Sequence, residues 1–150
     1  MYQILLYIHS LFRWLVLLSL IYSIYRAWRG YISHSAFTGT DNSIRHWTAT
    51  IAHIQLTLGV VLYFKSPFTR ASLKHTLQSM DLSFFSIIHL SMMVVAILLI
   101  TIGSALSKRK TTDPEKFRTL LIWFSIALLI ILLAIPWPFS PFTHRPYFRL

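Results

Sequence analysis

The chain has 150 residues, of which 55% are hydrophobic and only 12% charged; it has no cysteine and a formal net charge of +10. A soluble domain of this length has about a quarter charged residues and too little interior to bury so much Leu, Ile, Phe and Trp, so lipid is the expected solvent. The absence of thiols excludes structural disulfides and thiolate metal sites.

Four apolar runs, roughly 5–25, 47–65, 83–106 and 119–138, are each long enough to cross about 30 Å of hydrocarbon at about 1.5 Å per residue. Backbone groups in lipid must be satisfied within their own segment, and no period-two alternation suggests a barrel. The expected fold is therefore all-α, an integral membrane up-down four-helix bundle forming a single domain over 1–150. The first run has neither a basic leader nor a small-residue cleavage site, so it is expected to stay as helix one. The fourth is expected to stop at Pro136-Trp137-Pro138.

Basic residues cluster in the connections rather than along a nucleic-acid-binding face. Arg26, Arg29, Arg45, Lys108, Arg109, Lys110, Lys116 and Arg118 put eight on one side, against five on the other in Lys65, Arg70, Lys74, Arg145 and Arg149. By the positive-inside rule the first and third connections face the cytoplasm of a bacterial membrane and both termini lie outside. The acids Asp41, Asp81, Asp113 and Glu115 are all expected in loops.

Three runs contain a histidine: His9, His53 and His89. Ionisable groups within a span usually face the bundle interior and serve a site. His9 and His89 enter from the same face at similar depth, while His53 enters from the other, which leaves an expected mismatch of about 10 Å. Two imidazoles at matching depth on facing helices suit the axial positions of a haem iron. Without cysteine, such a haem b is held with no covalent thioether. Arg13, four residues after His9 on the same face, has no carboxylate at its depth. Two uses stand open for it: pairing with a haem propionate, or snorkelling to the headgroups.

His53, with His46 seven residues earlier and Arg45 and Trp47 beside that, could line an inner pocket for a quinone or proton relay, or ligate a second haem. The other reading is an interhelical hydrogen bond to Ser, Thr or Gln55. Trp14 could line a haem face or pack in the core. Met92 and Met93 are expected as packing, Trp28, Trp47, Tyr63 and Trp137 as interfacial anchors, and His34, His75 and His144 as solvated.

The segments His9-Ser10-Leu11-Phe12-Arg13-Trp14 and Ala52-His53-Ile54-Gln55-Leu56, continuing through Gly59 to Leu62-Tyr63-Phe64, resemble a family of short bacterial membrane proteins catalogued as cytochrome b-like. So do His89 with Met92-Met93, and the ending Ala134-Ile135-Pro136-Trp137-Pro138-Phe139. The resemblance covers nearly the whole chain. Ile88 and Leu90 stand where that family commonly has an acidic residue and a proline. More distantly, the layout is similar to the haem-binding bundles of the cytochrome b and haem A synthase groups, which implies histidines of the first and third helices on one haem.

The function expected is one-electron transfer to or from a quinol or a respiratory or reductase partner subunit, as an electron-transfer protein rather than a stand-alone enzyme. No flavin, nicotinamide or nucleotide motif is present. The alternative is a non-redox membrane assembly or structural subunit, one that could bind a transition metal such as copper.

Overall fold

The computed structural model describes residues 1–66 and 84–137, and it is helical almost throughout. Helix α1 is Tyr2–Ile32 and α2 is Gly39–Lys65; a π-helical segment, Phe84–His89, runs into α3, Leu90–Arg109, and α4 is Asp113–Ala134. All four are long and apolar enough to cross a membrane.

The helices extend beyond the apolar runs because local chemistry, not hydropathy, sets their ends. At the end of α1, Ser35 N–H reaches back to the Gly30 carbonyl at 3.2 Å, and His34 turns into the left-handed region at φ 51°. This is the bonding of a Schellman-type stop. Helix α2 begins eight residues before the expected 47 because Thr38 and Asp41 form a capping box. Its last residue is followed by Ser66 in extended backbone, the conformation favoured ahead of Pro67. Helix α4 likewise starts earlier than the expected 119, at Asp113, with a proline in its first turn. It ends at Ala134 rather than 138, since Ile135 precedes Pro136 and is already extended.

Each helix packs on its neighbours in sequence and α4 closes on α1, which makes α1 and α3 a diagonal pair. The seam between α3 and α4 is the most extensive and that between α2 and α3 the sparsest. Interior positions recur at three- and four-residue steps, as in Leu20, Ser23, Ala27 and Gly30 of α1 or Phe117, Leu120, Phe124 and Ala127 of α4. Many interior residues are small, whereas large ones such as Leu18 (63% exposed) and Leu133 (64%) point outward. At most 39% of any span's most apolar window is buried. That distribution suits lipid, where close backbone approach rather than hydrophobic burial holds helices together.

One end, formed by the C-termini of α1 and α3 and the N-termini of α2 and α4, is tied by arginines. Arg26 donates through Nε and Nη2 to Oδ1 of Asp41 at 3.1 and 2.7 Å, while Thr38 donates N–H and O–H to Oδ2 at 3.0 and 2.8 Å. Arg45 is buried; it donates to Oδ1 of Asn42 at 3.1 and 2.8 Å, and to the carbonyl and hydroxyl of Ser104 on α3. The expectation that Arg45 is a loop charge and that Asp41, Asp113 and Glu115 lie in loops is thus corrected. All four are within helices, and the acids occupy first turns, where the helix dipole favours them. Asp41→Ala removes the carboxylate half of the capping box and the Arg26 partner, while Thr38 still accepts from the N–H of residue 41, and it is expected to cost about 1 kcal/mol, most of it from the lost bonds to Thr38 because Arg26 is partly exposed. Thermal unfolding in detergent checks this, with Asp41→Asn expected to fall between wild type and alanine.

Candidate functional site

At the opposite end the interior stripes continue, but their residues change character. On α1 the stripe runs back from Val16 to Arg13 and His9; on α2 it runs on from Ala52 to Gln55 and Gly59; on α3 it runs back from Ala96 to Met93 and His89. His9, Arg13, Gln55 and His89 are all partly or wholly withdrawn from the surface there.

The proline pair explains His89. In a helix each carbonyl accepts from the N–H four residues on, and Pro136 and Pro138 have none, so the carbonyls of Leu132 and Ala134 need other donors. Trp137 Nε1 takes the first at 2.8 Å and His89 Nδ1 takes the second at 2.8 Å. A carbonyl only accepts, so His89 carries its proton on Nδ1 and its lone pair on Nε2. Metal-ligating histidines commonly have this outer bond, which fixes the tautomer and aims the ring. The π-helical turn that ends at His89 also belongs here, because such segments re-aim a side chain relative to regular helix.

His9 lies against α2. Gln55 donates from Nε2 to the His9 carbonyl at 3.0 Å and stands 3.3 Å from the His9 ring Nε2. Gly59 leaves space for the ring: a Cβ there would sit 3.2 Å from His9 Cε1. His9 Nδ1 and Gln55 Oε1 are both buried with no hydrogen-bond partner among the described residues. Each such atom costs about 1–3 kcal/mol, so a contacting pair of them marks a place whose bonding is incomplete.

His9 and Arg13 on α1 and His89 on α3 thus share one end of the bundle interior. The Arg13 guanidinium also sits 5.5 Å from the centre of the Trp14 ring, and Trp14 meets Trp137 edge-on at 6.4 Å. Trp14 and Trp137 therefore pack together beside the core, and Met93 packs against it.

His53 is elsewhere. It is exposed on the outer side of α2 and bonds through Nε2 to Thr101 Oγ1 on α3 at 3.0 Å. This is the interhelical bond foreseen as one of its readings, made to threonine, while Gln55 serves His9 instead. Gly59, six residues and a rise of about 9 Å along α2 from His53, is the position that meets the His9 ring, and Thr101, the partner of His53, is twelve residues or about 18 Å along α3 from His89. His53 is therefore separated from the pair in depth as well as in direction around the helix. Nor does it share an inner pocket with its neighbours, since His46 is exposed against Trp47 and Arg45 points inward. His75 and His144 lie outside the described residues.

Gln55, Gly59 and the Ala134 carbonyl were not singled out as site groups from the sequence. The legible signal was the proline pair, whose missing N–H groups leave two carbonyls to be satisfied. No protein-family profile, curated protein or solved structure matches the chain. What the structure establishes is a four-helix bundle with membrane-spanning character and a polar cluster at one end.

Proposed function

We propose that this chain is a small membrane b-type cytochrome holding one haem at the histidine end, where His9 and His89 would ligate the iron and Arg13 would stand beside them. It passes single electrons to or from a membrane quinol or a partner redox subunit. The observation that carries the reading is the placement of two imidazoles and a guanidinium on the interior stripes of diagonally opposed helices at one end of the bundle, with orphaned polar atoms at His9 and Gln55. When bound, haem b supplies a one-electron couple at its iron.

The chain's own residues supply position and electrostatics. His89 is held in the ligating tautomer by the Ala134 carbonyl. Arg13 brings a fixed positive charge that would pair with a propionate and favour the less positive, reduced state. Two imidazoles suffice for an iron whose other four ligands come from a porphyrin. A bare ion needs three or four side-chain donors, and no such group converges among the described residues. The bias of eight basic residues against five supports placing both termini outside a bacterial cytoplasmic membrane.

A non-redox assembly or structural subunit is the rival reading, and one observation favours it: each of the three histidines already makes a hydrogen bond to a neighbouring helix. Spectra decide between them. Protein purified in mild detergent from haem-replete cells is expected to show sharp dithionite-reduced bands of a low-spin b haem, at about one per chain by pyridine haemochrome. A colourless preparation would reject the cytochrome reading in favour of the structural one.

A further inference from the structure

Gln55 meets His9 twice, and an amide nitrogen only donates. Its contact with the His9 carbonyl at 3.0 Å fixes which way the amide faces, because turned over it would set its oxygen against another oxygen. The remaining Nε2 hydrogen is then directed at the His9 ring, whose Nε2 stands 3.3 Å away and accepts it. His9 therefore carries its proton on Nδ1 and its lone pair on Nε2, the tautomer that the Ala134 carbonyl also imposes on His89. The two rings differ in how they are held. His89 is held through the nitrogen that bears the proton, His9 through its lone pair.

The rest of the His9 ring lies along the same helix. A Cβ at residue 59 would sit 3.2 Å from His9 Cε1 and 3.8 Å from Nδ1, and Gly59 is one turn after Gln55 on the same face of α2. The edge of the imidazole that carries both nitrogens thus rests on α2, not on α3, which carries His89. This seat is shallow. Its bond to the ring is long for a hydrogen bond, and it leaves Nδ1–H and Gln55 Oε1 buried and without partners among the described residues. A ring held so weakly, on torsions with several staggered wells, has other positions within reach.

We propose that Gln55 is the positioning residue of His9 and sets the affinity of the site by occupying the lone pair that a ligand must take. The seat and the tautomer follow from the chain's own contacts; that the ligand is a haem iron rests on the cytochrome reading. A metal centre that takes Nε2 displaces the amide hydrogen first, so apparent affinity scales with the fraction of rings out of the seat. Gly59 acts with Gln55, since it leaves the room in which the seated ring lies.

The test uses the full chain made without haem, with isotope-labelled histidine, in lipid nanodiscs. The NMR signal of His9, identified by its loss in His9→Asn, is expected to show a protonated Nδ1. Its Nε2 is expected to move downfield in Gln55→Leu, as a ring nitrogen does on losing a hydrogen-bond donor. Haemin titration at the Soret band is expected to give about fivefold tighter binding to Gln55→Leu and to Gly59→Ala than to wild type, the worth of one weak hydrogen bond. Gly59→Ala keeps the bond from Gln55 to the His9 carbonyl, so it answers even if Gln55→Leu does not fold. A purely structural tie between α1 and α2 predicts the reverse, weaker haem binding in step with a lower melting temperature. The proposal is overturned if neither variant binds haem more tightly than wild type, if His9 is protonated on Nε2, or if its signal ignores Gln55→Leu. The two readings fail separately. A chain that binds no haem in any variant yet shows the Gln55-dependent signal refutes the cytochrome reading alone, and a haem-binding chain whose His9 signal ignores Gln55→Leu refutes this role of Gln55 alone.

Discussion

His9→Ala and His89→Ala should each give protein that inserts in the membrane but keeps no haem, whereas His53→Ala should keep its full complement. In the proposed site each imidazole would supply one bond to the haem iron, and His53 faces away from that site. The haem-to-protein ratio by pyridine haemochrome is the measurement. Haem lost only from the His53 variant would reject the pairing. His89 needs a second variant because it also caps α4. Alanine there leaves the Ala134 carbonyl without its donor, an expected cost of about 1 kcal/mol and a lower melting temperature. His89→Asn places an amide N–H near the position of Nδ1 and is expected to restore the melting temperature without restoring haem. Recovery of haem with asparagine would show that capping, not ligation, is the role of His89.

The sequence and the structure agree where physics is one-dimensional and part where it is not. Four helices are legible because spanning length and apolar content are properties of a run of residues, and lipid leaves few other solutions for the backbone. Helix ends were misjudged where a polar stretch is still helical. Residues 39–46 read as a connection by hydropathy, yet the Thr38–Asp41 capping box starts α2 there and Arg45 turns inward to Ser104. The separation of His53 from His9 in depth was legible by counting along the apolar runs, because the rise per residue is fixed, and the meeting of Gly59 with the His9 ring keeps it. The hydrogen bond between Gln55 and His9 was not legible, since no single-helix argument contains it. The shared interior stripe of His9 and Arg13 was legible, being a matter of four-residue spacing. The outward direction of His53 was not, since it depends on where α3 sits.

Gly103→Ala is expected to be far more damaging than one methyl group suggests, at about 2–3 kcal/mol, the upper part of the usual range for overpacking. A Cβ at Gly103 would collide with Trp123 Cβ and lie 2.9 Å from its Cγ. Those atoms sit next to the α4 backbone, and no rotation about χ1 moves Cβ, so relief requires the helices to part. They would part along the most extensive seam of the bundle, and in lipid no hydrophobic force compensates for lost packing between helices. Gly39→Ala is the control. It adds the same methyl at the first residue of α2 with nothing within 4 Å, so its melting temperature in detergent should match or slightly exceed that of wild type. The effect should also reach the other end, because α3 brings His89 to the Ala134 carbonyl of α4. If α3 and α4 separate as rigid rods, Gly103→Ala should lose haem in step with its lowered melting temperature, though residue 103 is nearly four helical turns from His89. A Gly103→Ala protein as stable as Gly39→Ala would mean that α3 and α4 do not approach closely at this crossing.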